Sequence, residues 1–91
     1  KRSLGEKIHQ QCIEMLECMA IANASRGRER AQQLDGLLTR LRAATAMLRV
    51  CHEKHLISPA IWARSVDLLD AIGAMAGGWR NHALSTAAPA A

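Results

Sequence analysis

The residues of this chain best suited to chemistry are arginines set at a repeat of seven. Arg28, Asp35, Arg42 and Arg49 fall on that spacing, which holds them on one slowly drifting face of a helix. Arg40 lies beside the row, Arg26 and Arg30 enrich its N-terminal end, and Lys54 extends its C-terminal end. A guanidinium grips a phosphate through two parallel N–H bonds, so Arg28, Arg40, Arg42, Arg49 and Lys54 are the candidate contacts to a nucleic-acid backbone. From the residues alone, a solvated helix face with ion pairs of ~0.2–0.5 kcal/mol each accounts for the same pattern and stays ahead. No Tyr or Phe is interleaved with the basic residues, so a stacking platform for single strands is not expected. Contact with the backbone, with little sequence preference, is the chemistry this row supports.

Other reactive side chains fit structural roles. His9, Cys12, Cys18, Cys51, His52 and His55 invite a metal reading, and a metal-binding helical bundle is one alternative. However, Cys12 and Cys51 fall on apolar stripes, where a thiol packs as a small hydrophobe, and paired Cys-x₂-Cys spacing is missing. His52 and His55 suit a helix C-terminus, where their charge complements the dipole. Asp67 with Asp70, and Glu14 with Glu17, share helical faces as ordinary surface charge. No Ser-His-Asp order, phosphate loop or nucleotide fingerprint is present, so neither an enzyme nor a cofactor is expected.

The elements that must position these residues are helical. The chain has 91 residues, 49% hydrophobic and 22% charged, with a net charge of +4, which bounds it to one folded domain. Trp62 and Trp79 are its only aromatics, and Ala, Leu, Arg, Glu and Gln favour helices. No apolar run of membrane-spanning length is found, and three cysteines without a disulfide framework favour a reducing cytoplasm. The chain opens on Lys1 rather than Met, as expected of a sequence that starts part-way along or has been processed.

Periodicity predicts three amphipathic helices. The first covers about 4–24 with Leu4, Ile8, Cys12, Met15 and Met19 on its stripe, and Ser3 with Glu6 forms a capping box. The second covers about 28–54, carries Leu34, Leu37, Leu38, Leu41, Ala44 and Leu48, and spans about 40 Å. Ser58–Pro59 then starts a third helix over about 59–79, leaving a flexible tail at 83–91. The apolar stripes are broad, so each helix needs neighbours on two sides, which a fourth helix or another subunit would supply.

The third helix holds LLDAIGAMAGGWRNH at Leu68–His82. Each glycine in a helix costs about 0.5–1 kcal/mol relative to alanine, so three of them imply a gain elsewhere. Gly73 and Gly77 share a face and permit close approach of a second helix or subunit. Termination of the helix at Gly77–Gly78 is the simpler alternative. Trp62, Leu69, Gly73, Gly77, Gly78 and Trp79 are therefore the expected core or oligomer contacts.

Together these segments resemble the accessory variability determinant family of diversity-generating retroelements. LLDAIGAMAGGW resembles the family's ending, SLGEKI at Ser3–Ile8 the start of its second helix, and LLTRLRAATAMLRVCHEKHLIS at Leu37–Ser58 its third helix and following turn. The family often has charged residues where this chain has Ala71 and Ala74, and Trp62 stands in the place of a Tyr. The resemblance implies an all-α, antiparallel up-down four-helix bundle of which the three helices here are the second to fourth, assembled as a barrel-like pentamer. It further implies a non-catalytic partner of a reverse transcriptase that binds template RNA or cDNA during error-prone copying. A helical oligomeric scaffold that binds only proteins is the competing reading.

Overall fold

The computed structural model describes residues 2–86. Within them the chain is all-helical and without strands: α1 spans Leu4–Ala24, α2 Gly27–Glu53 and α3 Pro59–Thr86. The helix starts follow local chemistry. The Ser3 hydroxyl accepts from the Glu6 N–H at 3.1 Å while Glu6 reaches back to the Ser3 N–H, closing the capping box. The Ser58 hydroxyl accepts from the Ile61 N–H at 3.1 Å, and Pro59 takes the first helical position, where no N–H is needed.

The two links are short. Ser25 and Arg26 join α1 to α2, and Gly27 takes φ 58, a left-handed conformation suited to glycine. After α2 the His55 N–H donates to the His52 carbonyl at 3.0 Å and the Leu56 N–H to the Cys51 carbonyl at 2.8 Å. These two bonds form a Schellman motif. His55 holds its left-handed position with φ 60 and a full side chain.

Short links make consecutive helices antiparallel, and three contacts fix the register. Glu14 meets Arg40 across α1 and α2, while Trp62 meets His52 and Gly73 meets Leu41 across α3 and α2. The helix ends give the direction: Arg30 near the start of α2 meets Ala22 and Asn23 at the end of α1 and Trp79 late in α3, while His52 at the end of α2 meets Trp62 at the start of α3. α2 lies between its neighbours, and no Cα of α1 comes within 8 Å of one on α3. The layer measures 55 × 27 × 15 Å.

The core is the stripe of α2. Leu34 and Leu37 are fully enclosed, and Leu41, Ala44, Met15 of α1 and Ala76 of α3 are buried with them. Burying a leucine contributes about 1.5–3 kcal/mol. Leu69 and Ile72 pack against this cluster from α3. A Cβ on Gly73 would meet Leu41 Cδ2 at 3.3 Å, so this glycine lets α3 lie close on α2.

The third helix corrects the sequence expectation. It continues past residue 79 to Thr86, straight through Gly77 and Gly78, so Ala83–Thr86 belong to the helix and not to a tail. Tertiary contacts outweigh the glycine cost: Ala83 is buried and Arg80 pairs with Asp35 of α2. The remainder of the expected tail, 87–91, lies outside the described residues. Gly77 and Gly78 have open space where a Cβ would stand, so neither brings two helices of this chain together.

The glycines therefore separate by substitution. Gly78→Ala should raise the unfolding free energy by about 0.5–1 kcal/mol in urea titrations, because it removes a helix cost without meeting a neighbour. Gly73→Leu should lower it by about 1–3 kcal/mol by forcing α3 off Leu41.

Candidate nucleic-acid interface

Because α2 packs on α1 along one side and α3 along another, its remaining face meets water. Arg28, Arg42 and Arg49 are exposed there, as the spacing predicts, and Lys54 is exposed just past the helix end. Among the described residues none of these four is in an ion pair. The acid within the row, Asp35, pairs with Arg80 across the α2–α3 seam. The seven-residue row is thus a run of unpaired guanidinium groups whose one carboxylate is already offset by a cation.

Arg40 is placed differently. It turns to α1, where Nε donates to Glu14 Oε1 at 3.1 Å and Nη1 to the Gly36 carbonyl at 3.3 Å. Its guanidinium is committed within the chain, so it stands apart from the exposed row. Arg30 is committed too: it donates to the Ala22 and Asn23 carbonyls at 2.9 and 3.4 Å, satisfying the end of α1, and lies 5.3 Å from the Trp79 ring centre.

The expected packing residues divide. Trp62 is half-buried and stacks on His52, with ring centres 5.2 Å apart and planes 9° from parallel. His52 Nδ1 is buried without a hydrogen-bond partner among the described residues. Trp79 is half-buried under Arg30 and overhangs Leu16, Met19 and Asn23 of α1. Leu69 and Gly73 belong to the α2–α3 contact, and Gly77 and Gly78 are open. The metal-type side chains disperse. Cys12 is exposed, which departs from the apolar-stripe expectation, whereas Cys51 is buried. No group of three or more His, Cys, Asp or Glu converges among the described residues.

Two clefts flank α2. The first, about 200 Å³, is almost wholly apolar: Leu34 and Leu37 form its floor, Met19 of α1 one wall, and Ile72, Met75 and Trp79 of α3 the other. It opens where α1 and α3 fail to meet. Met75 in its wall is 68% exposed, and Leu16, 63% exposed, lines a neighbouring cavity that shares Met19 and Trp79 with it, so this side of the layer exposes large apolar side chains. The second cleft, about 440 Å³, lies between α2 and α3 and is bordered by Arg42, Arg49 and Asp70.

Sequence reasoning missed every cross-helix partner. Arg40–Glu14, Arg80–Asp35, Arg30–Trp79 and His52–Trp62 join residues that only the helix register brings together. Heptad spacing marked the outward row; nothing in it marked Arg40 as internal. No protein-family model, curated protein or solved structure matches this chain.

Glu14 carries a pH signature. Its carboxyl is held below the ordinary carboxylate range, first by the hydrogen bond from Gln10 and then by the charge and hydrogen bond of Arg40, against partial desolvation. A depressed folded-state pKa means the ionised form favours the fold. That contribution is present above the unfolded carboxylate pKa and is lost as pH falls through the lowered one. Denaturant titrations from ~pH 7 to ~pH 3 should therefore show a shallower acid-side loss of stability in Glu14→Gln than in the parent.

Proposed function

We propose that this chain is a non-catalytic helical adaptor that binds a nucleic-acid backbone and presents it to a reverse transcriptase during error-prone cDNA synthesis in a diversity-generating retroelement. The observation that supports the binding role is the exposed row of Arg28, Arg42 and Arg49, free of ion pairs among the described residues, with Asp35 offset by Arg80. Phosphate attraction of this kind is additive over cations and insensitive to base sequence. The enzyme partner and the retroelement setting rest on the resemblance carried by Ser3–Ile8, Leu37–Ser58 and Leu68–Trp79.

The working form in this reading is a homo-oligomer, a pentamer of four-helix bundles. The apolar cleft over Leu34 and Leu37 supports it, because a further helix laid between α1 and α3 would complete the bundle core. Rotational symmetry would then repeat the arginine row around the assembly and multiply a patch that is modest on one subunit. Such an adaptor works without cofactor or metal and acts in the cytoplasm; no helix among the described residues is long and apolar enough to cross a membrane.

The same apolar cleft favours a second reading, a helical scaffold whose partners are all proteins. Salt-dependent binding of labelled RNA and DNA separates the two. In the adaptor reading, Arg28→Gln, Arg42→Gln and Arg49→Gln combined should weaken binding at least tenfold and reduce the log–log salt slope by about 2–3. Arg40→Gln, which changes a guanidinium already bound to Glu14, should alter the slope far less. Parent-like affinity in the triple variant would remove the assigned surface. No binding at low salt by an intact oligomer would leave the scaffold.

A further inference from the structure

The cleft between α2 and α3 sets a carboxylate that backbone binding does not use, Asp70, beside two arginines that it does. Arg42 and Arg49 border it from α2, two helical turns and about 10.5 Å apart, and Asp70 borders it from α3. All three side chains are exposed. Although they share one cleft, Asp70 pairs with neither arginine, and none of the three is committed to another ion pair among the described residues. Leu38, Thr45, Leu69 and the small Gly73 and Ala74 complete a lining of mixed polarity. A ligand matching this cleft offers an anionic group to the arginines and N–H donors to Asp70.

We infer that the cleft receives one guanine nucleotide of a bound strand, with its phosphate on Arg42 or Arg49 and its base edge on Asp70; this rests on the nucleic-acid reading above. An ionised carboxylate only accepts hydrogen bonds, through two adjacent oxygens. Guanine offers two adjacent donors, N1–H and the 2-amino group, and fits a carboxylate in a bidentate way. Adenine and cytosine place one amino group beside an acceptor, and uracil places its single N–H between two acceptors. Each therefore sets a lone pair against Asp70. An unpaired base read on its Watson–Crick edge is the usual target of sequence-selective RNA recognition.

The test is fluorescence anisotropy of the 91-residue chain with labelled single-stranded RNA carrying one guanosine, against the same strand with inosine, which lacks the 2-amino group. Guanosine should bind about tenfold tighter. Asp70→Asn should erase that difference while leaving strand binding in place, and Arg42→Gln with Arg49→Gln should weaken both strands alike. Ala74→Leu, which fills the cleft, should also erase the difference with helicity unchanged by circular dichroism. Equal affinity for guanosine and inosine strands would overturn the inference and leave the proposed function standing. Failure of every strand to bind at low salt would overturn both. Free guanosine monophosphate competing as well as the strand would replace a strand site by a nucleotide site. Poly-glutamate displacing the probe equally well would assign the cleft to an acidic protein segment.

Discussion

The structure depends on one helix serving two neighbours. Since the backbones of α1 and α3 stay apart, cohesion passes mainly through the buried stripe of α2, with Leu34 and Leu37 at its centre. A helix packed on two sides keeps one face in water, and on α2 that face carries the arginines. A helix packed on one side keeps apolar residues exposed, as Leu16 on α1 and Met75 on α3 are. The basic surface and the apolar cleft thus arise from the same placement of three helices in a thin layer.

Ion pairing then sorts the charges. Arg40 and Arg80 face neighbouring helices and find Glu14 and Asp35. At roughly one-third to one-half exposure such pairs contribute ~0–1 kcal/mol, too little to hold the layer together. Their larger effect is to decide which cations remain available. With Asp35 paired to Arg80, Arg28, Arg42 and Arg49 are left without an ion-pair partner among the described residues, whereas Arg40, the nearest arginine in sequence, is withdrawn from the row. Asp70 shares a cleft with two arginines and pairs with neither, which is the arrangement a ligand with both polarities would match.

Much of the frame was legible in the chain. The capping box at Ser3, the Ser58–Pro59 start and the 3.6-residue periodicity located both helix starts and the long middle helix, because caps and amphipathicity act over a few residues. The end of α3 was not legible. Gly77 and Gly78 have low intrinsic helicity, but the buried Ala83 and the Arg80–Asp35 pair lie on the far side of them and hold the helix to Thr86. Cys12 shows the converse: its place on an apolar stripe did not bury it, because α1 has no second neighbour over that side.

The amino-acid order by itself determined three amphipathic rods and the outward row of Arg28, Arg42 and Arg49, since both follow from spacing along one helix. Only the tertiary structure decided that Arg40 and Asp35 are already bound, that Trp62 lies on His52, and that Asp70 shares a cleft with Arg42 and Arg49. Those pairings join positions far apart in the chain, and the antiparallel register that aligns them is fixed by how the helices dock rather than by any local signal.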